Sequence, residues 1–196
     1  RDAALGAEHR ETLNSVRALA CCLHMRGRTA QAERLYRRAL AFDQRTFGAE
    51  HPWTLISLGN LAACLDGNGE TEEAEALHRR TLAAKERVMG ARHPSTLASA
   101  NNLAVCLQDQ GKDEDTADLL RQAYEGSEMA VGARHPQTLA SAGNLTACLS
   151  EHCSADKAEA CWRWHLKLLE KEFGPDHTQT LICLHNLARC LADGGR

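Results

Sequence analysis

The stretch from Ala91 to Ala130, ARHPSTLASANNLAVCLQDQGKDEDTADLLRQAYEGSEMA, decides the fold because recognisable versions of it lie before and after it in the chain. Four residue types recur at a constant step of 42 positions. They are a glycine (Gly6, Gly48, Gly90, Gly132, Gly174), a histidine (His9, His51, His93, His135, His177), a threonine (Thr12, Thr54, Thr96, Thr138, Thr180) and a leucine (Leu19, Leu61, Leu103, Leu145, Leu187). Such a period indicates stacked repeats, in which each unit buries its apolar face against its neighbours.

Each repeat is predicted to form two antiparallel helices, A and B. In helix A the apolar residues fall 1, 4, 7, 8 and 11 positions after the recurring threonine, which places them on one stripe of a helix. The first helix A is predicted from about Arg10 to Met25, and Leu19 lies in its core stripe. Helices B are predicted to open at Thr29, Thr71 and Asp113, whose side-chain oxygens can cap free N–H groups, and to end at about Phe47, Met89, Val131 and Phe173.

Composition favours closely packed helices over sheets. Hydrophobic residues make up 43% of the 196 residues, aromatic residues only 4%, and there are 4 prolines. The net charge of −3 comes from 23 basic and 26 acidic residues mixed along the chain, so no basic stripe favours nucleic acid. No run approaches the roughly 18 apolar residues of a membrane span, which argues against direct membrane insertion.

The repeats are predicted to form a single array over residues 1–196. Its units cover about residues 7–48, 49–90, 91–132 and 133–174, with a partial unit over 175–196. Residues 1–6 align with the end of a helix B, and the last helix A is followed by no helix B. We therefore interpret the chain as a fragment of a longer protein, from which a targeting segment can be missing.

Nine cysteines are present, and five of them follow the same 42-residue step. Equivalent residues of stacked helices lie about 8 to 10 Å apart, whereas a disulfide needs Cα atoms within about 7 Å. The sequence therefore predicts free thiols and a reducing compartment, the cytoplasm first and an organelle stroma as the alternative.

The repeats resemble the tetratricopeptide repeats, specifically the 42-residue type of kinesin light chains. The second unit carries the motif in Gly48, His51, Pro52, Thr54, Leu55, Asn60, Leu61, Ala62, Gly69, Glu73, Ala74, Glu75, Leu77, Arg79, Arg80 and Leu82. Departures are Ala18 in place of the asparagine, Cys153 in place of the turn glycine, and the shifted Pro175 and Thr178. The resemblance implies a right-handed α-α superhelix of about four and a half helix pairs, whose helices A line a concave groove that binds extended peptides.

Helical geometry also directs one recurring polar position away from the leucine stripe. An asparagine stands six positions after the threonine, and asparagine is a poor helix former, so its recurrence suggests a use. Its amide can bond a peptide backbone, or it can bond the adjacent repeat instead. The predicted partner-binding residues are Arg17, Asn60, Asn101, Asn102, Asn144, His185, Asn186 and Arg189.

Two tryptophans occupy slots that hold polar residues in other repeats. Trp53 and Trp164 are therefore candidate outer contacts for a partner, with burial under a neighbouring segment as the alternative. Trp162 falls in the core slot of Tyr36 and is predicted to pack.

Enzymatic, metal and cofactor chemistry is not indicated. No Cys-x-x-Cys motif occurs, and the recurring histidines lie one repeat apart, so we expect them to start helices and not to bind zinc. No phosphate-binding glycine loop or nucleophile elbow is present, so no cofactor and no catalytic residue are predicted.

Two functions remain open at this point. The first is a non-catalytic protein–protein interaction scaffold or adaptor that binds an extended segment of a partner in its groove. The alternative is a permanent structural or assembly subunit of a large complex, organellar or photosynthetic for example, which contacts that complex by its edges or convex face.

Overall fold

The computed structural model of this protein describes residues 10–152 and 155–193. Over these residues the chain forms nine α-helices and no strand, which confirms the all-α prediction. They are α1 (Arg10–Met25), α2 (Thr29–Phe47), α3 (Pro52–Asp66), α4 (Thr71–Met89), α5 (Pro94–Asp109), α6 (Asp113–Val131), α7 (Pro136–His152), α8 (Ala155–Phe173) and α9 (Thr178–Asp193). Odd-numbered helices are the predicted helices A and even-numbered helices are the predicted helices B. The predicted ends of the helices B are confirmed.

The chain divides into two compact units between Ala91 and Arg92. In the first unit α1 packs on α2, α2 on α3, and α3 on α4. In the second unit α5 to α9 follow the same order, and α5 also contacts α7 directly. Within each unit, a helix therefore buries its apolar stripe against its neighbours in sequence, as stacked repeats require.

The recurring histidine builds the start of α3, α5, α7 and α9, and the recurring threonine contributes to three of these starts. Nδ1 of His51 accepts a hydrogen bond from the backbone N–H of Trp53 at 3.2 Å, and His93, His135 and His177 accept the equivalent bond. The hydroxyl of Thr54 donates to the carbonyl of Gly48 at 2.7 Å, and Thr138 and Thr180 make the equivalent bond. Because these bonds satisfy polar groups that the end of a helix leaves open, the predicted helix-start role of these four histidines is confirmed, and His9 lies outside the described residues.

The helices B begin at the predicted residues, Thr29, Thr71 and Asp113. The cap position is one residue earlier than predicted, at Arg28, Glu70 and Lys112, which make no side-chain cap bond. The reason is the tightness of the turn. Gly27 has a φ of 71°, and the N–H of Arg28 bonds back to the carbonyl of Leu23 at 2.9 Å, so the next helix begins at once. The hydroxyl of Thr29 donates to Asn68 Oδ1 instead, at 2.7 Å.

Leu19 does not belong to the core, contrary to its place in the predicted stripe. Its side chain is 53% exposed, whereas Leu61 and Leu145 at the same slot are 1% and 5% exposed. Leu61 and Leu145 lie in α3 and α7, which pack on the preceding helix B of their own unit. Among the described residues no helix precedes α1, so Leu19 lacks this neighbour.

Candidate functional site

Arg17 in the first unit is bound internally. Its Nη2 lies 2.5 Å from both carboxylate oxygens of Asp43, and its Nε donates to Ser57 Oγ at 3.2 Å. A third bond runs from Nη1 to Asn14 Oδ1 at 3.0 Å. The predicted partner-binding residue thus joins α1, α2 and α3, and its contribution to binding stays a prediction.

The other predicted residues of the first unit lie at its surface to different degrees. Trp53 is half-buried, and the guanidinium of Arg17 lies over its ring, 5.7 Å from the centroid. Asn60 on α3 is also half-buried, one turn after the exposed Ile56. The Trp53 ring is therefore partly covered by its own unit, and the face around Asn60 is partly apolar.

The asparagines of the second unit are divided between internal bonding and exposure. Asn144 Nδ2 on α7 donates to Asn101 Oδ1 on α5 at 3.1 Å, which links two consecutive helices A. Asn102 is exposed. The bond to the adjacent repeat, one of the two uses considered for this asparagine slot, is thus present at Asn144.

A groove of about 640 Å³ runs between α7 and α9, and α8 contributes to its floor. It is lined by Arg134, Pro136, Leu139, Ala140, Gly143, Asn144, Ala147, Trp162, His165, Leu169, Phe173, His177, Gln179, Ile182, Cys183 and Asn186. Of the predicted binding residues it includes Asn144 and Asn186. His185 and Arg189 are exposed on α9 but do not line the groove. We call this feature the α7–α9 groove.

The floor of the α7–α9 groove is mostly apolar. Trp162 is 7% exposed, so its predicted packing role is confirmed. The thiol of Cys183 lies 3.8 Å from the carbonyl of Trp162, and burial raises the pKa of this thiol to about 11. At neutral pH the thiol is therefore protonated and adds no charge to the floor.

His165 is the polar residue of this floor that sequence reasoning did not single out as a site. The side chain is 6% exposed, and neither ring nitrogen has a hydrogen-bond partner among the described residues. Burial lowers the pKa of the imidazole to about 4, so the ring is neutral at pH 7. The available signal was a histidine in a slot that Ala39 and Ala123 fill in other repeats.

Trp164 lies outside the groove lining. It is 41% exposed and packs edge-to-face against Tyr124, with ring centroids 5.2 Å apart. The exposed part of the indole remains available on a helix B surface, while its other part is held by α6.

The part of the chain that the structure describes contains neither a metal-site candidate nor a membrane-span candidate. There, no group of three or more His, Cys, Asp or Glu side chains could hold a metal ion. Over residues 10–152 and 155–193, no helix has both the length and the apolar character that crossing a membrane demands. None of the described cysteines forms a disulfide: Cys21, Cys22, Cys64, Cys106, Cys148, Cys161, Cys183 and Cys190.

Comparison with known proteins finds a matching family model and similar solved structures. A family model described as tetratricopeptide repeat matches residues 30–87, 67–129 and 95–171. A crystal structure of nearly identical TPR-like repeats, from a Podosopora anserina protein described as a kinesin light chain, is similar with a TM-score of 0.84 and 27% identity, over 95% of this chain and 89% of that one. BtubC (BKLC) from P. vanneervenii is similar in fold, with a TM-score of 0.80 and 20% identity, over 94% of this chain and 74% of that one. No curated protein matches the sequence.

Proposed function

Because the chain belongs to the tetratricopeptide repeat family, we propose that it is a non-catalytic scaffold that binds an extended segment of a partner protein in the α7–α9 groove. The family model spans most of the chain, and the predicted likeness to kinesin light chain repeats is confirmed by the solved structures. Tetratricopeptide repeat proteins bind other proteins and are generally non-catalytic. The proposal extends this family role to a particular surface.

The α7–α9 groove is the observation that carries the proposal. Its volume of about 640 Å³ lies in the range of roughly 300 to 1,000 Å³ that is usual for ligand pockets. Its wall combines apolar side chains with the amides of Asn144 and Asn186. Such amides donate to and accept from a peptide backbone whatever its side chains are, and apolar walls stabilise the bound segment by excluding water.

The experiment is a selection of peptides from a displayed random library against the whole chain, followed by calorimetric titration of a selected peptide. Asn186→Ala should weaken binding by about two- to tenfold, because one hydrogen bond contributes roughly 0.5 to 1.5 kcal/mol. Asn102→Ala is the matched control, since Asn102 occupies the same slot on α5 and does not line the groove. Equal affinity of wild type and Asn186→Ala for every selected peptide would refute groove binding.

A second candidate function is a permanent subunit of a larger assembly, held through the helix B surfaces. Two large apolar side chains on these helices favour it, since Met129 is 73% exposed and Trp164 is 41% exposed. Under this candidate, Trp164→Ala would release the chain from its native complex in size-exclusion chromatography, whereas Asn186→Ala would leave the complex intact.

A further inference from the structure

His165 sits in a slot where the repeat fold has no need of an imidazole. The same slot of helix B holds Ala39 and Ala123, which are fully buried, and Thr81. Thr81 satisfies its own hydroxyl by donating to the carbonyl of Leu77 at 2.7 Å. Alanine therefore meets the packing requirement, and the imidazole is not explained by the stacking of helices.

The imidazole is also the kind of group that a folded protein seldom buries without a partner. Neither ring nitrogen forms a hydrogen bond with a described residue, although His165 is only 6% exposed. It is flanked by the rings of Trp162 and Trp164, whose centroids lie 6.3 and 6.2 Å away. Aromatic neighbours hold the imidazole in place, but their ring faces leave both nitrogens unpaired.

The side of the ring that faces α7 is left open by a glycine. A Cβ atom built on Gly143 would lie 3.7 Å from His165 Cε1, which is ordinary contact distance. A side chain longer than alanine at this position would start in contact with the ring. Arg17, Gly59, Asn101 and His185 occupy this slot in the other helices A. Gly143 thus places no side chain over the Cε1 edge of the imidazole, which is the approach to the ring from α7.

The charges around the ring determine which kind of partner side chain can bind beside His165. Among the described residues that line the α7–α9 groove there is no aspartate or glutamate. The guanidinium of Arg134 in this lining is paired with Glu172, with Nε and Oε2 3.1 Å apart. A charged side chain brought to His165 would lose water without meeting an opposite charge, which is costly.

We propose that His165 forms a side-chain subsite of the α7–α9 groove, specific for an uncharged partner residue that both donates and accepts hydrogen bonds: asparagine, glutamine, serine or threonine. The inference rests on the proposed function, since the residue arrives as part of a bound peptide segment. A neutral imidazole offers one N–H donor and one acceptor nitrogen, and the burial of His165 keeps it neutral at pH 7. A side chain of this class, with the adjoining peptide group, supplies both complements.

The specificity follows from the hydrogen bonds that only a polar residue supplies. Both nitrogens are already buried and unpaired without a partner, so a residue that donates and accepts gains bonds there that an apolar side chain cannot make. His165 therefore contributes to the sequence specificity of the groove, whereas Asn144 and Asn186 bind the backbone of any peptide.

The test is to select one displayed random peptide library against the wild-type chain, His165→Ala and His165→Gln. Alanine is the residue that other repeats carry in this slot, and glutamine retains a donor and an acceptor. We expect one peptide position to be enriched in Asn, Gln, Ser or Thr with the wild type and with His165→Gln, and to lose that enrichment with His165→Ala. Circular dichroism at neutral pH verifies that each variant is helical.

A synthetic peptide from the wild-type selection then gives the magnitude. Replacing its enriched residue by leucine should weaken binding to the wild type about tenfold and should change binding to His165→Ala less than twofold. The same enrichment with His165→Ala, or enrichment of a charged residue with the wild type, would overturn the subsite while leaving groove binding in place. Failure of every protein to retain any peptide would instead refute the proposed function, and the subsite with it.

Discussion

Asp43 and Arg17 form a nearly buried ion pair in which Nη2 of the arginine lies 2.5 Å from each carboxylate oxygen. The carboxylate is fully buried and the arginine side chain is 13% exposed. Ser57 Oγ also donates to Asp43 Oδ2 at 2.5 Å, so the network joins α1, α2 and α3. The slots of this pair hold other residue types in the next repeat, Gly59 and Lys85, so that repeat cannot form the same ion pair.

Arg17→Ala should destabilise the first unit by about 3 to 5 kcal/mol, because it leaves the Asp43 carboxylate buried without its counter-ion. Urea unfolding followed by circular dichroism measures the change. The double variant Arg17→Met with Asp43→Leu is the control, since it removes both charges and should recover most of the loss. A loss below 1 kcal/mol for Arg17→Ala would mean that the pair is not formed in solution.

Gly126→Ala should destabilise the second unit by about 1 to 3 kcal/mol, although alanine favours helices. A Cβ on Gly126 of α6 would lie 2.5 Å from Cδ2 of Leu97 on α5, so the buried Leu97 side chain or one of the two helices must shift. Gly59→Ala is the matched control in α3, where a Cβ meets nothing within 4 Å. We expect that control to gain about 0.5 to 1 kcal/mol. Thermal melting of both variants decides the matter, and a higher melting temperature for Gly126→Ala would contradict the contact.

Leu103→Ala should cost about 2 to 5 kcal/mol, because its side chain is 4% exposed and its removal leaves a cavity. Leu19→Ala is the same change at the same slot of α1, where the side chain is 53% exposed. We expect the control to cost less than about 1 kcal/mol, because little buried surface is lost. Urea denaturation of the two variants would disprove the burial pattern if their losses were equal.

Acidification should destabilise the second unit through His165. Burial lowers the pKa of this imidazole from its usual 6.5 to about 4, so between these values the unfolded chain binds more protons than the folded chain. Stability therefore falls as the pH is lowered through this interval, by roughly 3 kcal/mol at most, and does not depend on this group above it.

The variant His165→Ala isolates this effect from other groups that line the groove, such as His177 and Cys183. We expect the difference in unfolding free energy between variant and wild type to change across the interval from pH 6.5 to pH 4. Chemical denaturation at a series of pH values measures it. Parallel curves for the two proteins would exclude a buried neutral imidazole.

The local part of the fold was predictable from residues close together in the chain. His51 accepts from the N–H two residues later, and Thr54 donates to a carbonyl six residues earlier, so both act within a short stretch of chain. Their recurrence therefore located each helix A, and the glycines located the ends of the helices B. The helices B start at the predicted Thr29, Thr71 and Asp113, but the cap position falls on the residue before each of them, because that residue's N–H bonds back to the carbonyl of Leu23, Leu65 or Leu107.

The residues of the candidate site were less predictable, because their roles depend on which faces meet. Arg17 reads as a groove cation in sequence, yet Asp43, 26 positions later, binds it. The sequence suggests that Asn144 binds a peptide, and the structure shows that its amide also donates to Asn101 in the adjacent repeat. His165 reads only as a substitution in an alanine slot, and its unpaired nitrogens appear once α7, α8 and α9 form a groove around it.

The amino-acid sequence by itself determined the repeat length, the all-α class, the helix boundaries and the family, because these depend on periodic apolar positions and short-range hydrogen bonds that each repeat contains. Only the tertiary structure decided which polar side chains are satisfied internally and which face the α7–α9 groove. That division depends on distances between side chains that are far apart in the chain. The same position of helix A is held by Arg17, Asn101 or Gly143 in different repeats, so its contacts differ from one repeat to the next.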